Sequence, residues 1–362
     1  MIYNPKVSFP VAKQGVYANT ATFGLMSDSL LEWRHEHDLD YLVGGSTFKI
    51  KSMGIMEELR VEIANFFNSK QEEVALIPNL SIGLNIVAEG LNSKKEKILL
   101  LKNDYPSLSW PFRSRDFSCI EIPIQDRLEE SIIETIKKHS ISILALSLIQ
   151  WLDGFMINMD YLKRLKVQFP DLLIIADGTQ YCGAHNFDFQ NSGIDILACS
   201  GYKWLLAGTG NGFMLLKDVV RERCRPKESG FNASGANVSL FQQWTLNKYF
   251  EPGHLDSLAF GSLLFSIKNL ATIGMRKIAE HNTCLAEYAS RELLDMRFIE
   301  ETYTTLSAPS TIFNLAGDSR LFDHLERNKV VCSKRGQGIR VSFHYYNTLD
   351  DLKVFFDILK SY

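Results

Sequence analysis

Three features of the 362-residue sequence predict an α/β protein. Short apolar runs recur through the middle of the chain, and amphipathic stretches separate them. After about residue 250 the pattern changes to long helices and one alternating strand.

The first 45 residues carry no strong strand signal before Gly44-Gly45 and are expected to pack on the C-terminal domain or across the mouth of the site. Apolar runs follow at residues 74–77, 98–101, 120–122, 143–148, 172–176, 196–199 and 213–216. Continuous runs of this length read as strands buried on both faces, because helices cover both sides of a mostly parallel sheet. Helices are expected at 56–67 and at 126–137, where Leu128, Ile132, Ile133 and Ile136 share one face. Residues 258–270 and 278–294 read as long helices. Gly338-Ile339-Arg340-Val341-Ser342-Phe343 alternates like a strand, and a helix over 349–359 closes the chain. The expected division is therefore an N-terminal segment 1–45, a large α/β domain 46–249 and a small α+β domain 250–362. At roughly 100–200 residues per domain, the length agrees with two domains.

Composition excludes several classes. The chain is 46% hydrophobic and 22% charged, within the globular range. A net charge of −3 supplies no basic field for a nucleic acid backbone. The longest apolar stretches, such as 98–101, fall far short of the ~20 residues that span a bilayer, so no membrane partner is expected. The six cysteines, at 119, 182, 199, 224, 284 and 332, have no metal-site spacing and suit a reducing compartment. With no leader-like start, a cytoplasmic protein is expected. His35-Glu36-His37-Asp38 reads as a solvated helix face rather than a metal site, since residues i and i+2 of a helix point apart. Gly208-Thr209-Gly210-Asn211-Gly212 leads into a strand, the wrong context for a dinucleotide-binding loop.

In open α/β sheets ligands bind beyond the carboxyl ends of the strands. The run ending at Ala176 is followed by Asp177-Gly178-Thr179-Gln180, and the run ending at Cys199 by Ser200-Gly201-Tyr202-Lys203-Trp204. A strand-end lysine can form a Schiff base when desolvation lowers its pKa, and an aspartate facing a pyridine nitrogen keeps that nitrogen protonated. Together they describe a pyridoxal phosphate site. The segment from Leu76 to Gly83 runs from a strand into a helix beginning near Ile82, whose free N–H groups suit a phosphate. Ser81 or Asn79 capping that helix is the alternative.

These stretches resemble the class V aminotransferase family, which includes cysteine desulfurases and isopenicillin epimerase-like proteins. The resemblance runs from about Tyr17 to Asn347 and rests on residues 176–180, 200–213 and Arg340-Val341-Ser342-Phe343-His344-Tyr345-Tyr346-Asn347-Thr348. It implies the aspartate aminotransferase-like fold, pyridoxal phosphate fold type I, with a homodimer that builds the site at its interface. By that likeness Lys203 carries the Schiff base, Asp177 pairs with the pyridinium and Gln180 bonds the ring hydroxyl. Ser81, Ile82, Ser200 and Tyr202 fall at phosphate positions, Tyr105 at the place of the stacking ring, and Gln150 beside the ring hydroxyl. His254 lies in a loop that reaches the neighbouring subunit's phosphate.

Arg340 is expected to take the substrate carboxylate through two parallel hydrogen bonds, which implies an amino acid or 2-oxo acid. Arg335 is a candidate reader of a side-chain acid. Desulfurases need a loop cysteine well ahead of that arginine; Cys332 is close to it and in an apparent strand, which disfavours sulfur transfer. The expected activity is an aminotransferase, with an epimerase or lyase as the alternative and a cysteine desulfurase behind both.

Overall fold

In the computed structural model, which describes residues 8–234, 245–300 and 310–362, each of the seven apolar runs forms a strand of one sheet. The chain begins with β1 (Val16–Tyr17), then α1 (Asp28–Gly44) and α2 (Phe48–Phe67). β2 (Val74–Leu76) leads to α3 (Leu80–Gly90), β3 (Lys97–Leu101) to α4 (Pro106–Arg113), and β4 (Ser118–Ile122) to α5 (Leu128–His139). β5 (Ile143–Ser147), α6 (Met159–Gln168), β6 (Leu173–Asp177), β7 (Ile196–Ser200) and β8 (Gly212–Leu216) complete the large sheet. The short turns α7 (Val220–Arg223) and α8 (Phe231–Ser234) precede α9 (Ser257–Ile273) and α10 (Met275–Asp295). The rest is β9 (Ile312–Leu315), α11 (Ser319–Arg327), β10 (Val330–Val331), β11 (Ser333–Arg335), β12 (Gly338–Ser342) and α12 (Leu349–Lys360).

The strand order is β2-β8-β7-β6-β5-β3-β4, and β8 alone runs against the others. Because successive side chains leave a strand on opposite faces, the sheet feeds two cores. Leu99, Leu144, Ile174 and Leu197 belong to the one that includes Leu59 and Ile63 of α2 and Ile132 of α5. Ile98, Ile143, Ile175 and Ile196 belong to the other, with Leu84 and Val87 of α3 and Phe112 of α4. All of these side chains are buried. The strands are parallel apart from β8, joined by crossover helices except from β6 to β7, where an irregular segment returns the chain, so β2, β3, β5, β6 and β7 all end on the same side.

A second, antiparallel sheet has the order β11-β12-β9, with Ser333 opposite Arg340. β1 pairs in parallel with β10, and Asn19 bridges Ser342, so the N-terminal segment is stitched to this smaller sheet.

Helix boundaries differ from the sequence expectation in several places, chiefly α1, α2 and α5, while α3 begins two residues early, α9 ends three residues late and α10 begins three residues early. α1, 17 residues long, was expected only as the solvated helix face at 35–38, of which His37 is instead buried, 3.0 Å from Ser257 Oγ; the helix buries only Leu30 and His37, and its exposed Leu39, Leu42 and Val43 blur any apolar stripe. α2 begins eight residues earlier than the periodicity suggested because its first turns leave Ile50 and Met53 exposed. α5 is displaced two residues along the chain, from 126–137 to 128–139. Arg127 and Ser140 flank it in the left-handed region, at φ 62° and 53°. Among the described residues no single helix is long and apolar enough to cross a membrane.

Candidate active site

β6 and β7 are adjacent in the sheet, with Asp177 paired with Ala198, so the acid and the lysine beyond β7 open at neighbouring strand ends. Lys203 is buried at 6% exposure. Its Nζ lies 5.3 Å from the centroid of the Tyr105 ring and 5.6 Å from that of Tyr202. Burial lowers its ammonium to about 8, an effect that Asp177 opposes and the Arg340 charge reinforces. A lysine so placed holds a useful neutral fraction near neutrality, as imine formation requires.

Asp177 is fully enclosed at the end of β6. Its Oδ1 accepts the Thr179 amide at 2.8 Å, and burial pushes the carboxyl up to about 6 against the pull of Thr179 and Lys203. A cation beside it, such as a protonated pyridine, would restore its charge. Ser147, paired with Asp177 across β5 and β6, donates its amide and hydroxyl to Asp104 at 2.9 and 2.5 Å. Asp104 also accepts the Tyr105 amide at 2.7 Å and so anchors the loop that carries the Tyr105 ring.

The start of α3 faces the same opening. Asn79 caps it, its Oδ1 accepting the Ile82 amide at 3.0 Å, while the Leu80 amide donates to Ser200 Oγ at 2.9 Å. No acceptor among the described residues takes the Ser81 amide, and Ser81 Oγ donates to Ser107 Oγ at 2.8 Å. The capping and anion-binding roles therefore coexist: Asn79 caps, which occupies the Ile82 amide, and Ser81 keeps a free donor beside the hydroxyls of Ser107 and Ser200.

Gln180 is already engaged at both ends, Nε2 donating to the Ala21 carbonyl at 3.0 Å and Oε1 accepting the Trp204 indole at 2.6 Å. In this fold it ties the N-terminal segment to the lysine loop. Gln150 Nε2 is buried without a hydrogen bond of good geometry beside Asp104, whose carboxyl burial pushes up against the pull of Ser147, Tyr105 and Gln150. It is available to a polar ligand. Tyr202 contributes its ring beside Lys203 and stacks obliquely on Phe23, 5.7 Å between centroids; burial pushes its hydroxyl up to about 12. His254 is exposed and stacked on Phe231 at 5.5 Å, where it contacts neither Lys203 nor Asp177.

Arg340, 2% exposed, emerges from β12. One Nη donates to the Trp151 carbonyl at 2.5 Å and the other to Thr22 Oγ1 at 2.6 Å, while Nε is buried without a partner. Trp151 in turn donates its indole to the Asn103 carbonyl at 3.0 Å and meets Tyr105 edge-on at 5.7 Å. Sequence reasoning missed Thr22 and Trp151, because a hydroxyl in the N-terminal segment and a loop carbonyl carry no motif. Asp104 follows a predicted strand directly and was open to the same inspection that picked out Tyr105.

The donor set fits pyridoxal phosphate: an amine of lowered basicity, a buried acid for the ring nitrogen, an aromatic ring beside the amine, and a free helix amide with hydroxyls for the phosphate. Residues 41–355 match the family model of aminotransferase class V. A probable cysteine desulfurase of Ureaplasma parvum is 24% identical over 92% of this chain and 89% of its own. An isopenicillin N epimerase of Amycolatopsis lactamdurans is 23% identical over 83% of each. The cystine C-S lyase C-DES, solved with cysteine persulfide, superposes with a TM-score of 0.86 at 17% identity over 98% of this chain and 99% of that one. A lysine variant of the same lyase carries glycine linked covalently to its pyridoxal phosphate. The expected fold, family and cofactor are borne out, and the chain belongs to the class V aminotransferase family of pyridoxal phosphate-dependent enzymes.

Proposed function

We propose that the chain is an aminotransferase acting on an amino acid and 2-oxo acid pair, with Lys203 as the catalytic amine. The observation that carries this reading is the placement of the charged groups. Lys203 and Arg340 share one opening, and the Arg340 charge adds to the lowering of the Lys203 ammonium. Pyridoxal phosphate, when bound, supplies an electron sink for the bond broken at the α-carbon. Arg340 would hold the substrate carboxylate, Asp177 would keep the cofactor's ring nitrogen protonated, and Tyr105 would pack against the cofactor. Lys203 Nζ takes the α-proton and returns it from the same side.

Several relatives are named cysteine desulfurases, and the cysteines bear on that name. Cys199 lies close enough to Lys203 and Asp177 to feel their charges, yet its thiol is enclosed, bonds the Ser200 carbonyl at 3.5 Å and is pushed well up by burial. Cys332 packs against the core of the small sheet, and burial raises its thiol to about 12. Neither is a thiolate facing the opening. A C-S lyase, by the likeness to C-DES, is the second reading.

We further propose a cytoplasmic homodimer with the 46–249 and 250–362 division, in which the exposed Leu42, Val43 and Ile50, at 79, 86 and 78%, are covered. Light scattering tests the dimer. The reaction is tested by giving the holoenzyme single amino acids without an oxo acid. Stoichiometric conversion of the cofactor to its amine form supports aminotransfer. Sulfide or persulfide release from cysteine or cystine supports the lyase, and racemisation without conversion supports the epimerase.

A further inference from the structure

Arg335 sits on the hairpin that carries Arg340. In the antiparallel register Ser333 is opposite Arg340 and Arg335 is opposite Gly338, so Ser333, Arg335 and Arg340 project from one face. Two contacts show which way that face looks. Ser333 Oγ meets Thr22 Oγ1 at 3.1 Å, and Thr22 Oγ1 accepts from Arg340 at 2.6 Å. The face is therefore the one that borders the opening.

The hairpin is held there from the other side as well. Asn314 Nδ2 donates to both the Arg335 carbonyl at 3.0 Å and the Leu152 carbonyl at 3.1 Å, which binds the turn to the Trp151 loop at the rim. Arg335 is half-buried, and its side chain donates only to the carbonyl of its neighbour Lys334, at 2.9 Å. No acidic side chain among the described residues forms an ion pair with Arg335 or Arg340. Its charge nevertheless reaches both Arg340 and Lys203.

Two guanidinium groups on one side of an opening, both without a carboxylate, are a costly arrangement for an empty site, since like charges repel and partly desolvated charges need partners. One amino-acid carboxylate satisfies Arg340. The second cation is left over.

We propose that Arg335 binds a second anionic group on the substrate side chain, so that the favoured amino acid carries a carboxylate or an isosteric sulfur or phosphorus acid beyond its α-carbon. The spacing of the hairpin sets the geometry: Arg340 takes the α-carboxylate and Arg335, one strand over and nearer the turn, takes the distal group. This assignment rests on the amino-acid-binding reading of Arg340 and deepens it.

The test uses the holoenzyme and 2-methylaspartate, which lacks the α-proton and so binds without completing a reaction, against the same compound with its side-chain carboxylate as the amide. Binding is read from the cofactor absorbance. The acid binds at least about tenfold more tightly than the amide to the unaltered protein, the factor that one charge-assisted hydrogen bond provides. In Arg335→Gln that ratio falls towards one, and in Arg335→Lys part of it returns. Unchanged cofactor absorbance in both variants shows that the site is intact. Equal binding of acid and amide to the unaltered protein overturns the proposal. So does an Arg335→Gln variant that keeps the preference or weakens both ligands equally. Failure of every amino acid to convert the cofactor to its amine form would sink the aminotransferase reading and leave this ratio standing.

Discussion

Thr22 and Arg340 are 318 positions apart in the chain and 2.6 Å apart in the fold, where the threonine oxygen accepts a guanidinium hydrogen. With Arg340 as the proposed carboxylate binder, this contact would make the N-terminal segment part of the substrate site, because the second Nη is fixed by the Trp151 carbonyl and the two anchors together orient the fork. Pre-orienting an arginine removes part of the rotamer entropy that a bidentate contact otherwise costs.

Thr22→Val keeps the shape and deletes the acceptor. The expected result is amino-acid binding weakened by about 1.5–3 kcal/mol, the range for hydrogen bonds to charged groups, with cofactor absorbance unchanged. Arg340→Ala weakens it further, by about 2–5 kcal/mol, because a substrate carboxylate is then left without its partner. Spectral titration with an amino acid reads both values, and equal loss of cofactor from either variant would assign these residues a structural role.

Borohydride reduction of the holoenzyme should fix the cofactor on Lys203, and peptide mass spectrometry that finds the label elsewhere would refute the assignment. The rate at which apoenzyme captures pyridoxal phosphate should rise with pH and approach half its plateau near pH 8. The neutral amine is the nucleophile, and burial has brought Lys203 down to about 8. A rate that keeps climbing past pH 10 would contradict the buried placement of this side chain.

Gly24 lies against the lysine loop, its amide donating to the Tyr202 carbonyl at 2.9 Å. A Cβ at this position would fall 2.0 Å from the Lys203 carbonyl oxygen. Gly24→Ala must therefore displace either the N-terminal segment or the loop. We expect a loss of about 1–3 kcal/mol in stability and a lower ratio of cofactor to protein, measured by thermal unfolding and absorbance. Wild-type values in both would show that the two segments are not in close contact.

His344 is fully enclosed, with Nε2 3.0 Å from the Trp204 carbonyl and Nδ1 3.3 Å from Asn282 Nδ2; burial brings its imidazole down to about 3. His185 is lowered by burial to about 4. In the unfolded chain both titrate near 6.5, so below that pH the unfolded state binds more protons and stability falls as pH falls. The thermal midpoint should drop progressively between about pH 6.5 and pH 4. The drop should be shallower in His344→Gln, whatever its absolute stability, and an equally steep drop would remove His344 from the account.

The large sheet was legible because each of its strands is a local apolar run, and the site began to be legible because Asp177 directly follows such a run and Lys203 and Tyr105 come four positions after theirs. α1 was not legible. Its buried residues are too few to imprint a period, and its exposed apolar side chains mask the one that exists. Gln180 was legible as a strand-end polar residue, but its partners, Ala21 and Trp204, were not.

By itself, then, the order of residues determined the strands, the chemistry at their ends and the pairing of an acid with an amine, since these depend on neighbours a few positions away. Only the tertiary structure decided which groups orient Arg340, that Asn79 caps α3 while Ser81 stays free, and that Arg335 shares a face with Arg340. Contacts between segments hundreds of residues apart are selected by packing and strand register, and they leave no periodic trace in either segment.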